Sequence, residues 1–253
     1  MTSLLSITNL SFSYPDKKEI LSNLNIEVNE EEKIAVVGPN GSGKTTLYLI
    51  LAGILKPANG EILFNNTKIK TNAFNPGIAY LFQSPDDQLF SATLFDDIAF
   101  GPINMGIKKK EVLRRVTKAL GEVSLTGMEN KMPHHLSGGQ KRLAALASIL
   151  SMNPELLLLD EPTSNLDAKN RRQIIKIIKS LNKTMLVASH DLEFLLETCK
   201  RCIIINDSKI VADGDIKDIL ANETLLKKHH LEKPHSLIPH THKKKIIGNP
   251  VSH

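Results

Sequence analysis

The octapeptide Gly38-Pro39-Asn40-Gly41-Ser42-Gly43-Lys44-Thr45 has the spacing G-x-x-x-x-G-K-[ST], which lets a loop wrap a chain of phosphates. Its glycines allow the backbone to curl until successive N–H groups face phosphate oxygens. The helix expected to follow, from Thr46 onward, adds the positive end of its dipole. Lys44 is then placed for the β- and γ-phosphates and the Thr45 hydroxyl for Mg²⁺. Farther along, Leu156-Leu157-Leu158-Leu159 delivers two adjacent carboxylates, Asp160 and Glu161. Such a pair suits a metal nucleotide, because Asp160 can hold Mg²⁺ through water while Glu161 polarises the attacking water. The competing reading is an acidic cap on a helix starting after Pro162. It loses ground once the phosphate loop is in the same chain. The guanine-reading pattern [NT]-K-x-D is missing: the nearest stretch, Thr67-Lys68-Ile69-Lys70, carries Lys where Asp is needed.

These groups need elements to hold them. Lys33-Ile34-Ala35-Val36-Val37 is apolar after its first residue and runs straight into Gly38, as expected of a strand buried on both faces. Leu156–Leu159 and Met185–Ala188 read the same way, each followed at once by polar residues. Three buried strands ending in reactive groups predict an α/β fold with a parallel sheet and the site at the strand C-termini. Leu4–Thr8 and Ile20–Val28 predict an antiparallel edge layer. Between about residues 96 and 154 the pattern turns helical. Val112, Leu113, Val116, Ala119, Leu120 and Val123 recur at helical spacing behind Lys108-Lys109-Lys110, which predicts an inserted helical subdomain. From His229 onward periodicity fails, and residues 229–253 read as a weakly ordered tail rich in His and Lys after a domain of residues 1–228.

Composition limits the possible partners. The 253 residues are 41% hydrophobic and 23% charged, enough for one globular domain with a small appendage. No stretch reaches the roughly 18 consecutive apolar residues of a spanning helix. The formal charge of +5 is local. Removing the six lysines and one acid from Lys227 onward leaves 26 residues of each sign out of 32 basic and 27 acidic. A neutral body with a basic end argues against a nucleic-acid groove. Cys199 and Cys202 form a lone C-x-x-C without a second pair for zinc, and read as structural.

Leu136-Ser137-Gly138-Gly139-Gln140 narrows the choice further. Ser137 is a good N-cap, and the helix after it opens a second anion-receptive site. With this motif the chain resembles the ATP-binding cassette (ABC) ATPases over nearly everything up to about residue 220. The resemblance implies a P-loop nucleotidase with ATP and Mg²⁺ as ligands. Tyr14 would stack on adenine, although a tyrosine there also reads as a half-buried strand residue. Gln83 would touch Mg²⁺ or the attacking water, and His190 of Ser189-His190-Asp191 would donate to the γ-phosphate. Their plain readings are a surface glutamine and a structural histidine. Asp167, in Ser164-Asn165-Leu166-Asp167, would support an opposing protomer. The family pairs two cassettes head to tail, which implies that ATP on one phosphate loop also meets the partner's Ser137, Gly138, Gly139 and Gln140 in a homo- or heterodimer.

Gln83-Ser84-Pro85-Asp86-Asp87-Gln88-Leu89-Phe90 followed by Phe100-Gly101-Pro102 resembles the energy-coupling factor type of importer ATPase. There this stretch borders a groove for a coupling helix, which implies transmembrane partner subunits and a place on the cytoplasmic face of the membrane. Without that resemblance Asp86-Asp87 reads as a solvated acidic turn. His229-His230, His235 and His240-Thr241-His242 are similar to the histidine-rich ends of cobalt and nickel importer ATPases, which implies such a cargo. A vitamin cargo is the alternative. A non-transport ABC protein acting on chromosomes or ribosomes is disfavoured, since neither a coiled-coil insertion nor a second cassette is present.

Overall fold

The computed structural model describes residues 3–15 and 18–238. Two sheets make up the body. Strands β1 (Ser3–Ser13), β2 (Glu19–Asn29), β4 (Asn59–Phe64) and β5 (Thr67–Lys68) form an antiparallel sheet in the order β2-β1-β4-β5. The second sheet contains β3 (Lys33–Val37), β6 (Ile78–Leu81), β7 (Leu156–Asp160), β8 (Thr184–Ala188), β9 (Arg201–Asn206) and β10 (Lys209–Asp215), in the order β10-β9-β3-β8-β7-β6. All its pairings are parallel except β9 with β10. The expected parallel core and antiparallel edge layer are therefore both present.

The continuous apolar runs have a direct cause. Along β7, Leu157 and Leu159 enter the core beneath the helices, while Leu156 and Leu158 enter the core shared with the antiparallel sheet. Successive side chains point to opposite faces, so a strand with apolar layers on both sides cannot afford a polar position. Between the two sheets lies α1 (Lys44–Leu51), whose Leu47, Tyr48, Ile50 and Leu51 are buried. The opposite face is covered by α2 (Leu94–Asn104), α3 (Lys109–Glu122), α4 (Gly138–Leu150), α5 (Ala168–Ser180) and α6 (Leu192–Thr198). Of these, α2, α3 and α4 pack together as the helical insertion between β6 and β7. On α3 the expected apolar stripe is buried at Val112, Val116, Ala119 and Leu120, but Leu113 faces solvent.

One competing reading falls away and one expectation needs correction. No helix starts directly after Pro162: α5 begins only at Ala168, capped by Asp167, so Asp160 and Glu161 are not a helix cap. As far as Ile238 the chain also keeps its order beyond residue 228. After α7 (Ile216–Ala221) and α8 (Glu223–Lys228), His229 is 7% exposed and its Nδ1 lies 3.0 Å from Asn206 Nδ2. Leu231 and Leu237 pack on the core, and Ser236 donates its N–H and hydroxyl to the Glu193 carboxylate at 2.9 and 2.6 Å. Periodicity missed this segment because single side chains anchor it instead of a regular face. His240 and His242 lie outside the described residues.

A chain ended at Lys228 is expected to melt roughly 3–10 °C below one ended at Ile238, since it loses two apolar anchors and leaves Asn206 without its imidazole partner. Calorimetry of the two chains checks this, and equal midpoints would show the segment to be energetically idle.

Candidate functional site

Because β6, β7, β8 and β3 run parallel in neighbouring register, with Leu81 opposite Leu159 and Asp160 opposite Ala188, their C-terminal ends open on one edge of the sheet. The loops after them share a cavity of about 310 Å³ lined by Tyr14, Asn40 to Thr46, Gln83, Asp160, Glu161 and His190. Gly38 and Pro39, the first two residues of the loop, are not among the cavity's lining residues. At Gly43 the chain takes φ of +100° and the position abuts Leu21, which leaves no room for a side chain. Lys44 folds across the loop, its Nζ donating to Gly38 O at 2.7 Å and Pro39 O at 3.1 Å. Burial pushes its proton affinity down, while Glu161 and Asp160 pull it back up. The Ser42 hydroxyl is buried without a hydrogen-bond partner, close to Gly38 at the start of the loop.

Thr45 Oγ1 donates to Asp160 Oδ2 at 2.7 Å, and the Tyr80 hydroxyl donates to the same oxygen at 3.1 Å. Burial and then the Asp160 charge push the Tyr80 hydroxyl well up, so it stays a donor. A hydroxyl and a carboxylate side by side, with the Gln83 amide in the same cavity, make a hard-oxygen donor set suited to Mg²⁺.

Glu161 departs from the strand at φ +49°, a conformation that costs a non-glycine residue about 1–3 kcal/mol. The turn brings its N–H to Ala188 O at 2.9 Å and its carboxylate under the next loop. There Oε1 accepts from His190 N at 2.9 Å and Oε2 from the Ser189 hydroxyl at 3.1 Å. His190 Nε2 lies 3.7 Å from Oε1. Burial pushes the Glu161 carboxyl up, against the lowering influence of His190 and Ser189. The loop is fixed from behind by the 2.7 Å pair of Arg171 with Asp191, which caps α6. Tyr14 is half-buried, edge-on to Phe12 with centroids 4.9 Å apart, and its hydroxyl is 3.4 Å from Thr46 Oγ1.

The remaining residues singled out above lie elsewhere. Ser137, Gly138, Gly139, Gln140 and Asp167 do not line this cavity. Ser137 and Gln140 form a reciprocal capping box on α4, with Gln140 N to Ser137 Oγ at 3.3 Å and Ser137 N to Gln140 Oε1 at 3.0 Å. Gly139 is required by close approach: a Cβ there would lie 2.2 Å from Asn170 Nδ2. Asn170 in turn donates to Asp167 from its backbone at 2.8 Å and its side chain at 2.9 Å. These bonds hold the Asp167 carboxyl below its usual range. Asn170 therefore joins the two segments, a role no motif announced. Tyr80, Ser189 and Arg142 were likewise missed, because each acts through a contact between residues far apart in sequence.

Beyond Gln83, Asp86 pairs with Lys141 at 2.6 Å, and Asp87 borders an open groove of about 640 Å³ whose apolar walls include Phe74, Phe90, Phe100 and Met152. Phe90 and Phe100 are 66% and 50% exposed and stack edge to face. Cys199 and Cys202 are both buried, and burial pushes each thiol up to about 12, so neither is a nucleophile at neutral pH. Among the described residues no helix is long and apolar enough to cross a membrane.

Phosphate loop, strand-end carboxylates and a detached capping-box helix together define a P-loop nucleotidase of the cassette class. A family model described as ABC transporter matches residues 21–164. The chain is 40% identical over 239 residues to the energy-coupling factor transporter ATP-binding protein EcfA of Methanothermobacter thermautotrophicus, covering 91% of this chain and 77% of that protein. It superposes on cbiO1 of Clostridium perfringens, part of the ABC transporter complex cbiONQ, with a TM-score of 0.79 and 33% identity over 90% of this chain and 94% of that one. A dimeric ATP-binding cassette solved in a post-hydrolysis state with ADP and Pi gives a TM-score of 0.74 at 26% identity, over 84% and 98% of the two chains. The chain belongs to the ABC transporter family. Within it, the chain is an ATP-hydrolysing, ATP-binding subunit of the energy-coupling factor type.

Since the folded Glu161 carboxyl sits above its unfolded value, its ionised form costs stability, and this cost grows as pH rises from the ordinary glutamate value through the folded one. Glu161→Gln is therefore expected to gain more in melting temperature over wild type at pH 7 than at pH 4.5. A gain independent of pH would refute the raised proton affinity.

Proposed function

We propose that this chain hydrolyses ATP at a site completed by a second cassette protomer, and thereby drives an importer of cobalt or nickel. One observation carries the dimeric reading. The cavity gathers the phosphate loop, both carboxylates, Gln83 and His190, whereas the Ser137-Gly138-Gly139 helix start lies outside it, exposed and already capped. A single chain holds half of each site. The dimeric relative bound to ADP and Pi supports the same arrangement.

In this reading the backbone from Gly38 to Thr46 and the Lys44 ammonium bind the phosphates. Tyr14 offers its ring face to adenine. Thr45, Asp160 and Gln83 would hold Mg²⁺, which when bound neutralises charge on the β- and γ-phosphates. Glu161 accepts a proton from the attacking water, its affinity raised toward the working range by burial. His190, its backbone tied to that carboxylate, orients the water and donates to the γ-phosphate. From the partner chain, Ser137, Gly138, Gly139 and Gln140 grip the other side of ATP, and Asp167 supports the contact. Loss of the γ-phosphate removes the bridge, and the protomers part.

The functional cassette is residues 1–228 with its helical subdomain over about 96–154, and residues 229–253 form the basic, histidine-rich end. The phenylalanine-lined groove beside Asp87 takes a coupling helix of a transmembrane subunit, which keeps the chain on the cytoplasmic face of the membrane. Membership of a named transporter complex by the cbiO1 relative supports such partners. The cobalt or nickel cargo rests on the resemblance of the histidine-rich end to importers of those metals. No nucleic acid is involved.

Glu161→Gln is expected to cut kcat at least about 100-fold while retaining ATP-dependent dimers in analytical ultracentrifugation, whereas Lys44→Ala loses nucleotide affinity itself. Turnover near wild type in the first, or unchanged ATP binding in the second, contradicts the assigned roles. Cells expressing this chain with its co-purifying membrane subunits should accumulate cobalt or nickel, and Phe90→Glu should abolish both co-purification and uptake. Accumulation of a vitamin instead would overturn the cargo, and uptake undiminished by Phe90→Glu would overturn the groove.

A further inference from the structure

The loop that carries Gln83 is bolted to α4 at three places. Asp86 pairs with Lys141 at 2.6 Å. The Gln88 side chain accepts from Phe82 N at 3.1 Å and donates to Ala145 O and Ser148 Oγ, both at 2.9 Å. The third bolt is Arg142, whose side chain is 3% exposed. Its Nη1 donates to Phe82 O at 2.8 Å and its Nη2 to Gln83 O.

Arg142 alone of these three reaches further. Nη2 also donates to Ser164 Oγ at 3.2 Å, and that hydroxyl donates in turn to Glu161 O at 3.0 Å. Ser164 N meets the same carbonyl at 3.2 Å. A buried arginine ordinarily faces a carboxylate. Here the acceptors are two successive backbone carbonyls and one hydroxyl, a set that only a planar fork of donors can span. Burial lowers the guanidinium's proton affinity, and the nearby charges of Glu161 and Asp160 offset part of that. An apolar side chain of similar volume would fill this space without the desolvation cost, so packing alone does not account for a cation.

We propose that Arg142 is a positioning residue for hydrolysis: one guanidinium holds the Gln83 loop and, through Ser164, the left-handed turn at Glu161, so that the carboxylate is aligned only while α4 is seated against both. Movement of the helix that starts at Ser137 is then felt at Glu161 and at Gln83 together. The inference rests on Glu161 being the base, as proposed above.

The test is single-turnover and steady-state ATP hydrolysis by the full chain with its membrane subunits, as Arg142→Met, Arg142→Lys, Ser164→Ala and the Arg142→Met/Ser164→Ala pair. Arg142→Met should lower kcat about 10- to 100-fold, as expected of a carboxylate displaced by a fraction of an ångström to an ångström. Its ATP affinity should stay within about twofold. Ser164→Ala should cost kcat about three- to tenfold, and the pair no more than Arg142→Met alone, since both cut one relay. Arg142→Lys should fall between, because an ammonium cannot reach all three acceptors. The acid limb of the pH–rate profile should move in Arg142→Met and Ser164→Ala, which a purely structural loss would not cause. A kcat within twofold of wild type in Arg142→Met, fully additive losses in the pair, or equal losses of kcat and ATP affinity would overturn the proposal. If Arg142→Met does not fold, the half-buried Ser164 decides: unchanged kcat in Ser164→Ala overturns it. Glu161→Gln separates the two levels. Should it keep turnover, the reading of the base fails; should it be inactive while Arg142→Met and Ser164→Ala match wild type, only the present inference fails.

Discussion

Parallel strands paired in register must deliver their ends to the same edge of a sheet, and the site of this protein follows from that constraint. With β8 between β3 and β7, and β6 beyond β7, four chain segments far apart in sequence emerge within reach of one another. The hydrogen bond from Thr45 to Asp160 spans 115 positions along the chain and closes the gap between two of them. Antiparallel order would send alternate ends to opposite edges and leave the phosphate loop without its carboxylates.

The same edge concentrates charge in a place that water barely reaches. Lys44, Asp160, Glu161 and Arg142 are all buried, two of each sign. For each cation the two carboxylates offset part of the effect of burial, which still lowers its proton affinity. Such a cluster adds little to stability compared with apolar packing, and removing one member leaves the others uncompensated. Its presence is a mark of function. The apolar cores on either face of the sheet, with β7 and β8 fully buried in both, supply the stability that holds these charges in place.

The helical insertion packs on one face of the sheet through the core it shares with the strands and α5 and α6. Its α4 begins in a capping box that satisfies the Ser137 and Gln140 N–H groups, with Ser137 and Gly138 exposed at the helix start. Along its length α4 grips the loop after β6 through Lys141, Arg142, Ala145 and Ser148. That loop also walls the phenylalanine groove. The cavity and the groove thus share one short segment, residues 82–90: Gln83 lines the first, and Phe82, Asp87, Gln88 and Phe90 line the second.

Much of this was legible in the residues themselves. The phosphate loop, the strand leading to Asp160 and Glu161, the Ser137 cap and the parallel core are local patterns, because backbone curvature, strand burial and helix capping depend on near neighbours. Where local pattern was the guide and long-range contacts ruled, reading failed. The segment after residue 228 has no periodicity, yet it is pinned by Asn206 and Glu193. Turns at residues 162–165 stand between Glu161 and α5, which rules out the competing reading of a helix cap there. Tyr80 and Arg142 carry no motif, and the contacts of Ser164 and Ser189, though both lie in recognised segments, could not be read from spacing, since a hydrogen bond between distant residues leaves no spacing to recognise. Sequence alone therefore determined which groups can bind and split a phosphate chain. Only the tertiary structure decided which of them meet in one chain, because strand order and helix packing, not proximity along the backbone, set the distances.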